Sequence, residues 1–271
     1  MSGFSAEWLA LREPVDHAAI NHALRMRVVR YFAEHRQMTV VDLGSGTGSN
    51  LRSLAPNLTP AQTWRLLDVD ADLLARAAQS ASGLQSSNRG EVTCKTLAVD
   101  LAGTDLAPFI SDADLVTASA LFDLVSEEAI SRMVAAICGT GTVFYTTLIY
   151  DGIVAWLPEA HLDSAMRTAF NRHQMTDKGF GQAAGPTAAS VLAKCFTRAG
   201  YVVHRAKSPW VLTDAQKELR CEVDRGWASA VSETGAVGQP DASQWLATRQ
   251  AEINAVTIVS HEDLLALPPS R

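Results

Sequence analysis

Residues 39–51, TVVDLGSGTGSNL, decide the fold. Val40, Val41 and Leu43 make the β-branched and aliphatic run of a buried parallel strand. Gly44, Gly46 and Gly48 then let the chain reverse with its backbone close to a ligand before a helix starts at Ser49. Asp42 stands two residues before the first glycine, and a second strand, TWRLLDVD at 63–70, ends in carboxylates. The combination suits a ligand with both a ribose and a charged amino-acid tail. An ionised Asp68 can accept two hydrogen bonds from a vicinal diol, each worth roughly 1.5–3 kcal/mol. Asp70 is the competing acid, and capping of the helix ADLLARAA by Asp68 and Asp72 is the plainer alternative. A dinucleotide fingerprint requires Gly-x-Gly-x-x-Gly, but Ser49 occupies its third position, so a dehydrogenase is the minor alternative.

Outward from this turn, strands and helices alternate. Strands are expected at 39–43, 64–68, 92–99, 114–118 and 142–149, with helices from Ser49, over ADLLARAAQS and over SEEAISRMVAAI. Ser126 is the expected N-cap of the last of these, with Glu127 and Glu128 in its first turn. Such alternation implies a mostly parallel sheet with helices on both faces. Upstream, 16–36 sets Ile20, Leu24, Val28, Tyr31 and Phe32 on one face of an amphipathic helix within an N-terminal segment, 1–38. At 151–186 the alternation fails, which predicts an insertion covering the sheet edge. Pro186 opens another helix, Gly200 follows it as a left-handed cap, and strand YVVHRA comes next. A helical insertion at 208–255 precedes a last apolar run at 256–259. No repeat or low-complexity linker divides the chain, so 1–271 is expected to be one domain.

With 47% hydrophobic residues the 271-residue chain can build a substantial core. The net charge of −6 disfavours a phosphate-backbone binder, and nucleic acid is not an expected partner. Cys94, Cys138, Cys195 and Cys221 are scattered without a C-x-x-C pair, which predicts reduced thiols and no zinc knuckle. No segment reads as a membrane span or a signal peptide, so no membrane partner is expected and the cytoplasm is the expected compartment.

The chain resembles the class I S-adenosylmethionine-dependent methyltransferases in its acid-x-Gly-x-Gly-x-Gly signature, over residues 40–149, and more loosely over 187–201. The resemblance implies an α/β Rossmann-like seven-stranded sheet with an N-terminal helix and a lid after strand five. It also implies S-adenosyl-L-methionine as cofactor, with Gly44, Ser45, Gly46, Thr47 and Gly48 under its amino-acid portion and Asp42 holding the loop or the ammonium group. Asp68, with Val69 beside it, would bind the ribose. Asp100 and Leu101 would flank the adenine, and Ser119, Ala120 and Leu121 would lie alongside the sulfonium. Two readings of Arg12 stand together: it binds the methionine carboxylate, or it pairs on the surface.

Methyl transfer needs an aligned lone pair about 3–3.5 Å from the methyl and, for a hydroxyl or amine, a base to take the proton. His173 is the expected base. Asp123, just past strand four, is a second candidate, set against a helix-start role. Tyr150 and Asp151 leave strand five at the same rim. Asn171 and Lys178, with Asp177 and Phe180, sit among the glycine hinges of the 151–186 lid. Trp210, Trp227 and Trp245 are assigned to the core or to a dimer contact, which leaves a homodimer open. The chain lacks an Asn- or Asp-Pro-Pro-aromatic signature and a Pro-Cys nucleophile, so base methylation is not supported. No acid and histidine cluster suggests a metal. The expected function is therefore methyl transfer to oxygen or nitrogen of a small molecule. A protein methyltransferase and a non-catalytic cofactor-binding scaffold are the alternatives.

Overall fold

A computed structural model describes residues 4–269. The decisive turn joins β1 (Gln37–Leu43) to α3 (Ser49–Leu54), and two helices precede it, α1 (Ala6–Ala19) and α2 (His22–Tyr31). After the turn come β2 (Ala61–Asp68), α4 (Ala71–Ser80), β3 (Val92–Ala98), α5 (Ala107–Ile110), β4 (Leu115–Ser119), α6 (Glu127–Thr140) and β5 (Val143–Leu157). The remainder is α7 (Asp163–Gln174), α8 (Ala188–Arg198), β6 (Val202–Lys207), β7 (Trp210–Leu212), α9 (Lys217–Thr234), α10 (Gln239–Ala251) and β8 (Val256–Leu267).

The strands form one sheet in the order β3-β2-β1-β4-β5-β8-β6, with the short β7 paired to β8 as an eighth strand beside the expected seven. β1 to β5 run parallel to one another, whereas β8 runs antiparallel to β5, β6 and β7. One face is covered by α5, α6 and α8 through Ile130, Val134, Leu192 and Phe196. The other is covered by α2, α3 and α4 through Val28, Leu51 and Leu74. Ser126 caps α6 by accepting the Ala129 amide at 3.2 Å, as expected, and Gly200 adopts φ +85° after α8.

Three local expectations are revised. The helix over 16–36 is two helices, because Asn21 ends the first and caps the second, its Oδ1 accepting the Leu24 amide at 3.1 Å. Its own amide is taken by buried Asp263 at 2.7 Å, a partner far away in the chain. The final strand begins at Val256 but runs on to Leu267 and lies inside the sheet.

The third revision is at 151–186, because β5 does not end at residue 149 but continues to Leu157 beside β8. It does so through two irregularities: Thr146 pairs Leu264 and Ile149 pairs Glu262, then Tyr150 pairs His261 and Val154 pairs Val259. Each step leaves extra residues on β5, the signature of bulges, which bend a strand and re-aim its side chains. Leu148 in the first has φ +59° and Gly152 in the second +84°. A Cβ on Gly152 would lie 2.8 Å from Pro186 Cβ, so only glycine fits. Beyond the bulges, β5, β7 and β8 form a ribbon packed on α7, α9 and α10, where Trp156, Trp210, Trp227 and Trp245 make a third core. The helices of 208–255 therefore build a cap with α7.

Candidate active site

Two adjoining cavities lie at the carboxyl ends of the parallel strands. The first, of about 500 Å³, has the glycine turn as its floor: Gly44, Ser45, Gly46 and Thr47 line it, with Asp68 and Val69 after β2, Asp100 and Leu101 after β3, and Ser119, Ala120 and Leu121 at the end of β4. The turn is left-handed at Gly44 (φ +65°) and Gly46 (φ +50°). A Cβ would come within 3.1 Å of Leu121 Cδ1 at the former and 3.3 Å of Leu9 Cδ1 at the latter. Side chains here would both strain the backbone and narrow the cavity.

Asp68 is locked in place by two main-chain amides. Oδ2 accepts from Gly46 at 2.7 Å and Oδ1 from Asp70 at 3.0 Å. One bond per oxygen leaves lone pairs for a diol, and the carboxylate links strand and glycine turn. Asp70 is the actual cap of α4, accepting the amides of Asp72 and Leu73, so the capping alternative falls to Asp70. Asp100 lines the cavity while accepting the Ala102 amide at 3.0 Å.

Asp42 is reassigned. It is buried beneath the floor, where Oδ1 accepts from Asn50 at 2.7 Å, and its main-chain carbonyl accepts from the Ser45 hydroxyl at 2.9 Å. Of its two expected roles it performs the loop-holding one, and Asn50 reaches the cavity in its place. Burial pushes its carboxyl up to about 7, against the opposing pull of Asn50 and Ser45. Gly48 does not line the cavity; at φ +82° it starts α3 against Ala77. Arg12 does line it but does not pair at the surface: Nε and Nη2 hold buried Asp16 at 2.8 and 3.2 Å. Asp16 also accepts from Trp210 Nε1 at 3.0 Å, a function of this acid that its place in an amphipathic helix gave no sign of.

The second cavity, of about 480 Å³, shares Phe4, Arg12, Ala120 and Leu124 with the first. Ala120, at φ +51°, sits where the two meet. Its walls are aromatic, formed by Trp8, Tyr150, Phe170, Trp210 and Trp227, and its polar groups include Asp123 and His261. Trp210 and Trp227 were expected only in the core or at a dimer contact. Folding places them against this cavity because β7 and α9 close over the bulged part of β5.

Of the expected catalytic and substrate residues, Asp123 and Tyr150 line this cavity and the others do not. Asp123 is buried, its Oδ1 enclosed without a hydrogen-bond partner, and burial raises its carboxyl to about 6. Its own amide, Arg12 and the Tyr150 amide pull the other way. The Tyr150 hydroxyl donates to Asn171 Oδ1 at 2.8 Å, and Asn171 Nδ2 donates to the Gly152 carbonyl at 3.0 Å, so Asn171 braces the bulge. Asp151 is also structural, accepting from Lys207 and Ser260 at 2.6 Å each. Lys178 lines the first cavity, not the second, and burial lowers its pKa.

His173 is not at either cavity. Its Nε2 meets Glu233 at 3.1 Å and its Nδ1 meets Lys178 at 3.3 Å. The histidine at the cavity is His261 on β8, its Nδ1 enclosed and unpaired, pushed down to about 3 chiefly by burial and then by Arg12. It is therefore neutral at pH 7. An expectation of the last strand ending at residue 259 hid it, because the polar run SHED at 260–263 interrupts the apolar pattern before LLAL resumes it. His173→Ala is expected to leave methyl-transfer activity within about twofold, measured as turnover of labelled cofactor; a hundredfold loss would restore His173 as the base.

No family model and no curated protein matches the sequence. Among solved structures the chain is similar to a cyclopropane-fatty-acyl-phospholipid synthase-like protein from Lactobacillus casei, with TM-score 0.55 and 12% identity, covering 98% of this chain and 95% of that one. It is also similar to a cyclopropane synthase from Mycobacterium tuberculosis, with TM-score 0.53 and 12% identity, covering 97% and 94%. A third likeness is to the YcgJ protein from Bacillus subtilis, with TM-score 0.51 and 12% identity, covering 92% and 100%. Identities this low speak to architecture alone, that of a mostly parallel sheet with helices around it. The chain has the fold of the class I S-adenosylmethionine-dependent methyltransferases.

Proposed function

We propose that the protein transfers a methyl group from S-adenosylmethionine to oxygen or nitrogen of a small, largely apolar molecule. The observation that carries this reading is the joining of a glycine-floored cavity to an aromatic-walled one through Ala120. Two cavities of this size suit two small ligands meeting at one point. The residues fit the cofactor: Asp68 has free lone pairs for a ribose, and the glycines leave room for its tail. S-adenosylmethionine, when bound, supplies a methyl made electrophilic by a positive sulfur. The chain's own part is to align the acceptor, exclude water and accept a proton. Asp123 is the group for that last task, since a base raised to about 6 is ionised at neutral pH yet more basic than an ordinary carboxylate. Neutral His261, whose conjugate acid forms only near pH 3, is a weaker base.

The Asp123 assignment predicts a pH profile. Protonation below about 6 removes the base, so kcat/KM should be level above pH 7 and fall about tenfold per unit on the acid side. In Asp123→Asn that limb should vanish, with activity lowered roughly a hundredfold or more. The primary test is incubation with methyl-labelled cofactor and a metabolite extract. Label in small molecules supports the reading, and label on protein supports the protein-methyltransferase alternative. Binding of S-adenosylhomocysteine (SAH) without transfer supports the scaffold, and no heat of binding sinks all three. No helix among the described residues is long and apolar enough to cross a membrane.

A further inference from the structure

The second cavity holds a chemical imbalance. Among the described residues five ionisable side chains line it: Arg12, Asp123, Tyr150, Glu222 and His261. Arg12 is committed to Asp16 by a two-bonded ion pair and lies 4.9 Å over the ring of Trp210. Glu222 is paired with Arg225. His261 is neutral at pH 7, and burial holds the Tyr150 phenol well above its ordinary range, so it too is uncharged. Of these Asp123 alone remains, a buried acid whose Oδ1 has neither hydrogen bond nor ion pair among the described residues.

An enclosed carboxylate oxygen without a partner is costly unless a ligand brings the missing donor. The surrounding walls narrow the choice. The negative faces of tryptophan, tyrosine and phenylalanine rings attract a cation, and here Trp8, Tyr150, Phe170 and Trp227 surround the same space as Asp123. An acceptor bearing a carboxylate or phosphate would meet Asp123 with no uncommitted cation among the described lining residues to offset it. A neutral hydroxyl would satisfy the hydrogen bond but gain nothing from the charge or the ring faces.

Resting on the methyltransferase reading above, we propose that the acceptor is an amine attached to an apolar body, its nitrogen paired with Asp123 and its body held among the aromatic walls. The amine enters as an ammonium, which supplies the counter-charge that Asp123 lacks. Proton transfer from nitrogen to the Asp123 carboxylate frees the lone pair. That pair forms the new carbon–nitrogen bond while the carbon–sulfur electrons leave with the sulfur, which becomes a neutral thioether. The methylated nitrogen carries the positive charge that the sulfur loses. The proton on Asp123 then passes to solvent as the product leaves, and the charge balances.

The test compares three probes of one shape on the SAH-loaded protein by calorimetry at pH 7.5: 2-phenylethylamine, 2-phenylethanol and 3-phenylpropanoate. The amine is expected to bind at least about tenfold more tightly than the alcohol, and the acid most weakly. In Asp123→Asn the preference for amine over alcohol should disappear while SAH affinity stays within about twofold. The proposal is overturned if the alcohol or the acid matches the amine, if none of the probes binds, or if the preference survives in Asp123→Asn. Should that variant fail to fold, the order of the three probes on the unaltered protein decides alone. Failure of the probes with SAH bound removes the amine and leaves the methyltransferase reading standing; failure of SAH itself removes both.

Discussion

Asp68→Ala is expected to weaken SAH binding about a hundredfold to ten-thousandfold in a calorimetric titration. The carboxylate offers two charge-assisted bonds to a ribose diol, together worth roughly 3–6 kcal/mol at about 1.4 kcal/mol per decade of affinity. A second loss reinforces the first, because the Gly46 amide, 2.7 Å from Asp68 Oδ2, is left without its acceptor and the turn loosens. Asp68→Asn keeps an acceptor for that amide but loses the charge, so it should fall between the two, near tenfold. This gradation separates ligand contact from loop support: if Asn and Ala are equally harmless, Asp68 does not hold the ribose.

The largest stability effect should come from Asp263→Ala, about 3–5 kcal/mol, although this residue touches neither cavity. Its Oδ2 accepts the Asn21 amide at 2.7 Å, and its Oδ1 accepts the Leu148 amide at 2.9 Å and the Ser208 hydroxyl at 2.5 Å. One buried side chain therefore pins the break between α1 and α2, the first bulge of β5 and the loop between β6 and β7. Removing it strands three donors in an enclosed place, each costing roughly 1–3 kcal/mol, partly offset by relief of a carboxylate that burial has already raised above its ordinary pKa. For a chain of this size the loss corresponds to a melting temperature lower by roughly 10 °C. The check is thermal unfolding beside Asp263→Asn, which retains acceptor capacity and should recover part of the difference. A change under about 1 kcal/mol for alanine would show that the bulge is held by packing alone. Since Tyr150 and His261 pair directly after that bulge and line the second cavity, the alanine variant should also lose acceptor binding more than SAH binding.

The contrast between these two aspartates shows what the chain's order of residues reveals. Asp68 is legible because its signal is local: an apolar strand, an acid at its end and three alternating glycines occupy one short βαβ unit whose geometry allows few alternatives. The same locality reveals the sheet's parallel half and the caps at Ser126 and Gly200, and it points to Asp123 just after β4. Asp263 carries no such signal, since its partners lie 242, 115 and 55 residues away. For His173 the signal misled, because a histidine among glycines reads like a mobile catalytic group until α9 brings Glu233 against it. Trp210, Trp227 and His261 become cavity walls only once two bulges turn β5 under the cap. Sequence by itself determined the glycine-floored half of the site, where bonds within one βαβ unit fix the backbone. Tertiary structure decided the aromatic-walled half, because its walls come from α1, β5, α7, β7, α9 and β8, and only the packing of those distant elements sets which side chains face one another.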